Sequence, residues 1–289
     1  MSSGNGLNSG YIGSDQRRTQ AGSYDGRKHY LERINGQFVV STTSWTPAEI
    51  ATSLWLDAGD ANTITLNGSN VSQWNDKSGN ARHATQATAN QRPTYTSNSQ
   101  NGYGIISFGQ SNLDISSTTP ITSGNSNFGF FVAYKPKIAS GYGTIFANYS
   151  AGNFQLLFAT IIPYATPWGL YNAASLDLDP GSYTQNENTI ISCVRTSGSF
   201  VGYTNGTTKN TVANIASVYA GANTASVWTL GANTNNTEAG LMDLYELIVI
   251  DGTVSTDTRQ RIEGYLAHKW GLTANLPANH PYKNAAPTV

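Results

Sequence analysis

The sequence predicts an all-β domain, a sandwich or a barrel, with one C-terminal α-helix and an N-terminal β-hairpin. Three observations lead there. From about Ile50 to Val254 the chain alternates short β-rich runs with Gly/Asn/Ser turn clusters, the pattern of many short strands. A single helical stripe, Ile262, Leu266 and Trp270, comes only after those runs. Only 11% of residues are charged while Gly alone numbers 29, so the surface rests on hydroxyls and amides.

Taken in order, residues 1–28 are rich in Gly, Ser, Asn and Gln and could not bury a core alone. Arg17, Arg18, Arg27 and Lys28 make this the most basic segment, and no apolar stretch marks a secretory signal. His29 to Ser41 reads as a hairpin, because Asn35-Gly36 between two strand-like runs suits a turn needing positive φ at both positions. Thr46-Pro47-Ala48-Glu49 reads as a capped helical turn with Pro in its first position. The clearest strand runs are Tyr103–Phe108, Asn127–Tyr134, Thr144–Ala147, Phe154–Phe158, Thr189–Val194, Phe200–Tyr203, Val227–Leu230 and Leu241–Ile250. The helix starts at Ser255 or Thr256, has Asp257 in its first turn and stops at Gly271. Its stripe predicts docking on the β domain, followed by a Pro-punctuated tail. The expected division is an arm over 1–45 and a globular domain over 46–289.

Composition excludes several functions. Sixteen basic residues against seventeen acidic give a net charge of -1, with no footprint for nucleic acid or anionic lipid. No apolar run approaches the roughly 20 residues of a spanning helix. The one cysteine, Cys193, lies in an apolar run and is expected as a buried, inert thiol.

The most informative stretch is Ser53 to Thr85. An apolar strand, Leu54-Trp55-Leu56, ends in Asp57 and Asp60, and a second strand, Val71 to Trp74, runs into a polar loop. There Asp76, Ser78, Gly79 and Asn80 are residues that fold a loop onto its own backbone. The series Asp76, Ser78, Gly79, Asn80, His83, Ala84 resembles a signature of the laminin-G-like, or concanavalin A-like, lectin and glucanase family. Three later stretches resemble the same family: Glu187 to Thr207, closing on Tyr203, Asn205 and Gly206; Ala239 to Val254, with acidic Asp243 and Glu246; and Arg259 to Tyr282, similar to the terminal helix and tail of bacteriophage members. The resemblance covers about residues 50–284. It implies a jelly-roll sandwich of two antiparallel sheets that binds glycans in many members, sometimes through calcium.

Candidate chemistry follows from the residues and from this resemblance. Glucanases of the fold carry Glu-x-Asp-x-x-Glu, which holds two carboxyls roughly 5 Å apart. That spacing is missing here, as are a nucleophile elbow and a His-Glu-x-x-His helix, so the chain is expected not to be an enzyme. Calcium, if held, would take Asp76, Asn80, Asp243 and Glu246 as oxygen donors. The alternative makes Asp76 an organiser of its own loop. Glycan stacking is expected of Tyr142, Tyr149, Tyr164 and Trp168 in the Gly/Asn/Pro-rich middle. Arg17, Arg18, Arg27, Lys28, Phe38 and Val40 are expected to attach the arm to a major capsid or other virion protein, or to a sister subunit. The expected role is a virion-surface protein, a capsid decoration or fibre subunit displaying a lectin-like domain. A bacterial surface or secreted carbohydrate-binding module is the alternative, with a glucanase or lyase ranked third.

Overall fold

A computed structural model describes residues 19–20, 29–34, 37–115, 120–121, 127–138, 141–150, 153–162, 166–171, 184–212, 227–232 and 239–289. The chain divides into two compact units, 1–45 with 287–289, and 46–286. In the smaller unit, His29–Ile34 and Gln37–Thr42 pair antiparallel with Ile34 opposite Gln37, the register a two-residue Asn-Gly turn requires. Thr19–Gln20 adds a third strand, and the C-terminus joins the unit through a Ser44–Thr288 bridge and a Trp45 N–H donating to the Pro287 carbonyl at 2.9 Å.

The larger unit is an antiparallel β domain with one α-helix. In neighbour order one layer holds Tyr103–Gly109, Leu241–Asp251, Phe128–Pro136, Thr189–Thr196, Ser199–Thr204 and Thr207–Val212, with Leu54–Asp57 beside the second half of Leu241–Asp251. The other holds Thr166–Tyr171, Asn153–Ile162, Gly141–Ser150, Trp228–Leu230, Leu113–Ile115, Ala84–Thr85 and Asn70–Trp74. Thr94–Gln100 links them, pairing along Tyr103–Gly109 and meeting Asn70 through Thr94. Hydrogen bonding is therefore continuous, yet the sheet folds over on itself. Phe130 and Phe146, from strands far apart in that order, stack at 6.1 Å, and Phe146 stacks on Trp228 at 4.7 Å. This is the sandwich, and the barrel reading falls.

Alternation sets what each face carries. Ile106, Phe108, Met242, Leu244, Leu247 and Val249 point into the core, so Ser107 and Asp243 point away from it. Between Leu244 and Glu246 the pairing shifts: Tyr134 faces Leu244 and Ala133 faces Glu246, leaving Tyr245 extra. That bulge turns both Tyr245 and Glu246 to the outer face.

The helix Thr256–Lys269 begins where Ser255 Oγ accepts from Thr258 N–H, and beyond it Gly271 takes φ +71. Ile262, Leu266 and Trp270 are fully buried, and Trp270 stacks on Tyr245 at 5.2 Å, docking the helix on the outer face. The tail packs back: Tyr282 lies so close to Gly264 that a Cβ there would sit 2.4 Å from it. His280 is buried beside Glu263, which Arg259 also bonds. Cys193 is buried, and burial pushes its thiol well above its ordinary range.

Most strands run past their expected ends, Gly141–Ser150 furthest, while two begin one residue later, at Phe128 and Trp228, and the sequence pattern does not mark Thr94–Gln100. Its sequence, TYTSNSQ, has no apolar alternation because most of its side chains are exposed. Because Phe146 joins the two layers, Phe146→Ala should lower unfolding free energy by about 3–5 kcal/mol in a urea titration; a loss under about 1 kcal/mol would mean the layers do not meet there.

Candidate functional site

The loop after Trp74 is tied to strand Leu54–Asp57 by one carboxylate. Asp76 Oδ1 accepts from Trp55 N–H at 3.0 Å and Ser78 N–H at 2.9 Å, while Oδ2 accepts from Ser78 Oγ at 2.7 Å and Arg82 N–H at 3.0 Å. Asn80 Nδ2 donates to the Thr52 and Ser53 carbonyls, each at 3.1 Å. Gly79, at φ +86, gives the turn its reversal.

A sealed polar cluster lies beneath the helix. Glu246 Oε1 accepts from Trp55 Nε1 at 2.7 Å and Tyr265 Oη at 2.9 Å; Oε2 accepts from Trp270 Nε1 at 2.9 Å and Lys269 Nζ at 2.8 Å. Lys269 also bonds Asp57, whose second oxygen takes Lys77 at 2.9 Å, and Lys77 reaches Asp60 at 2.9 Å. Burial, reinforced by Asp57, raises the Glu246 pKa, with Lys269 opposing. Tyr265 is likewise pushed up, by burial first and then by Glu246. Glu246 is 0% exposed, so no ligand reaches this pair of carboxylates.

At the other end of the same outer face the sheet is open. Thr94, Ser107, Asp243 and Lys135 lie opposite one another across four strands, and Leu241 lies opposite Gly109 in the next row. Arg92, Pro93, Thr94, Ser107, Lys137 and Leu241 line an open cleft of about 360 Å³, with buried Phe108 among its walls. Asp243 sits behind it, accepting from Ser107 Oγ at 2.6 Å and from the Lys137 ammonium. Arg92 is fixed by its own donors, Nε to the Gln86 carbonyl at 2.7 Å and Nη2 to the Ala87 carbonyl at 2.9 Å. Leu241 is 37% exposed at the edge.

The calcium donors expected from sequence do not come together. Asp76 and Asn80 share the loop, Glu246 lies in the sealed cluster and Asp243 backs the cleft. Both carboxylate oxygens of Asp76 and of Glu246 are already engaged by protein donors, and calcium needs six to eight oxygen ligands, so these scattered residues do not fit the ion. Among the described residues no group of three His, Cys, Asp or Glu could hold a metal. Arg17, Arg18, Arg27, Lys28 and Tyr164 lie outside the described residues, as do the side chains of Phe38, Val40, Tyr142, Tyr149 and Trp168. The cleft residues Arg92, Thr94, Ser107, Lys137 and Leu241 escaped the sequence reading. Thr94, Ser107 and Leu241 come from three strands, Arg92 and Lys137 from the segments just outside strands, and they carry no local motif; cross-strand register assembles them.

No family model matches the chain, and no curated protein is similar to it in sequence. Solved structures are similar in fold. Domain 4 of AbnA, a GH43 extracellular arabinanase from Geobacillus stearothermophilus in complex with arabinotriose, aligns at a TM-score of 0.54 and 14% identity, over 76% of this chain and 98% of that one. A GH54 α-L-arabinofuranosidase aligns at 0.52 and 15% identity, over 79% of this chain and 61% of that one. The binding domain of Paraclostridial Mosquitocidal Protein 1 aligns at 0.50 and 13% identity, over 72% of this chain and 54% of that one. These findings correct the expectation that the chain is not an enzyme. Two of the three structures belong to glycoside hydrolases, so a missing Glu-x-Asp-x-x-Glu spacing does not set this fold apart from enzymes. The virion setting draws no support from them. What the chain shares with these proteins is a β-sandwich fold.

Two outcomes follow from the polar framework. Asp76→Ala should destabilise by about 1–3 kcal/mol for each buried donor left unmade, read by urea unfolding; a parental midpoint would remove the loop's structural role. Lys269→Met should cost about 3–5 kcal/mol at neutral pH by leaving buried Glu246 without a cation, while Asp57 keeps Lys77. A carboxyl whose folded pKa is raised destabilises the fold once pH passes its unfolded value, so acid, by protonating Glu246, should shrink that penalty. A penalty unchanged between about pH 7 and pH 5 would show that the stranded charge is not its source.

Proposed function

We infer that this chain is a carbohydrate-binding β-sandwich domain serving glycan processing, and that the glycan lies in the cleft lined by Arg92, Thr94, Ser107, Lys137 and Leu241. The observation that carries this reading is the division of the outer face. The helix seals one end around Glu246, while the other keeps polar side chains from several strands around an open concavity. Its volume, about 360 Å³, falls in the range of small-ligand sites, roughly 300–1,000 Å³. The apolar edges of Pro93 and Leu241 suit the C–H faces of a sugar ring, and hydroxyl and ammonium groups suit its oxygens. The fold shared with an arabinanase domain solved with arabinotriose supports the ligand class. Display on a bacteriophage particle rests on the sequence resemblance alone and is not needed by this reading.

Calorimetric titration with a panel of plant-type and bacterial oligosaccharides, arabinotriose included, tests it, with reducing-end release followed on the same panel. Binding should appear for part of the panel. Leu241→Asp, which puts a charge on the apolar edge, should weaken it about tenfold or more. Absence of binding across the panel, or full binding by the Leu241→Asp protein with an unchanged melting curve, would overturn the assignment.

A further inference from the structure

Resting on the cleft reading above, we propose that the sugar held there carries a carboxylate: the ligand is a uronic-acid-containing glycan. The described residues that line the cleft include two cations, Arg92 and Lys137, and no carboxylate. That is a local concentration of positive charge in a chain with a net charge of -1 and only 11% charged residues. Asp243, the nearest acid, sits 6% exposed behind the wall, and its Oδ1 takes both Ser107 and Lys137. It therefore anchors Lys137 while the lysine side chain stays 42% exposed.

Arg92 is built for recognition of an acceptor. Two of its N–H groups are spent on the Gln86 and Ala87 carbonyls, which fix the plane of the guanidinium, and a guanidinium carries five. A fixed, planar donor fork matches a planar carboxylate better than it matches single hydroxyls. The hydroxyls of the wall divide. With its proton on Asp243, Ser107 offers a ligand only lone pairs, whereas Ser111 Oγ accepts from Gly109 N–H at 3.2 Å and keeps its proton to give. Among these side chains the donors of Arg92, Lys137 and Ser111 therefore outnumber the one acceptor, the Ser107 oxygen. Each hydroxyl of a neutral sugar brings a proton that needs an acceptor, whereas a carboxylate only accepts.

The test compares matched ligands on the full chain: trigalacturonate, its carboxyl-reduced neutral counterpart, and the same neutral trisaccharide bearing sulfate. Trigalacturonate should bind about tenfold or more tightly than the neutral form, and added salt should narrow the gap. In Arg92→Gln and Lys137→Gln proteins, each checked for an unchanged melting curve, the acid-to-neutral ratio should fall toward one. Equal binding of acidic and neutral ligands would overturn this proposal while leaving the glycan-binding reading intact. Tighter binding of the sulfated ligand than of the uronate would also overturn it. No binding by any of the three, with other glycans bound, would overturn it too, and no binding by any glycan would end both readings.

Discussion

The interaction on which the rest of the structure depends is the burial of Glu246. A carboxylate placed on the outer face of a sheet and then covered by a helix must be supplied with donors, or its desolvation would prevent the covering. Four donors meet it, from Trp55, Tyr265, Lys269 and Trp270. They come from strand Leu54–Asp57, from the helix and from the residue just after it, so satisfying one carboxylate fixes three parts of the chain together. Lys269 and Lys77 then divide Asp57 between them, which ties in the loop that Asp76 organises. A hydrophobic replacement of the same volume could be as stable. The polar cluster instead favours this seating of the helix, because a shifted helix would leave Glu246 without its donors.

That seating determines which part of the outer face stays open. The helix packs against Thr189–Thr196 and Phe128–Pro136 and ends over Tyr245, so its coverage stops short of the row Thr94–Ser107–Asp243–Lys135. The Tyr245 bulge matters here as well. By bringing Glu246 to the outer face it gives the helix its polar anchor, and Asp243, on the same face, is left to serve the open end. Two acidic residues three positions apart thus do different work: one is sealed and neutralised, the other positions a lysine at a cleft.

The fold alone does not settle activity. Sandwiches similar to this one occur in an arabinanase, an arabinofuranosidase and the binding domain of a mosquitocidal protein, and function lives in the sites carried on such a frame. In this chain the end of the sheet face covered by the helix has its carboxylates saturated, while the uncovered end presents cations and hydroxyls over one buried carboxylate, Asp243.

Local pattern determined a good deal by itself. Strand runs, the Asn35-Gly36 hairpin, the Ser255 cap, the Gly271 stop and the Ile262–Leu266–Trp270 stripe are readable because each depends on neighbours within a few residues. The Asp76 loop was legible for the same reason: its bonds to Ser78 and Arg82 are short-range. The polar strand Thr94–Gln100 was not legible, since an exposed strand carries no apolar period. The convergence on Glu246 and the cleft were not legible either. Trp55 and Glu246 are 191 positions apart, and Arg92, Ser107, Lys137 and Leu241 meet only through antiparallel register and one bulge. Register is a property of strand pairing, which the order of residues along one strand does not contain, and so only the tertiary structure could decide which polar side chains are buried together and which line the open cleft.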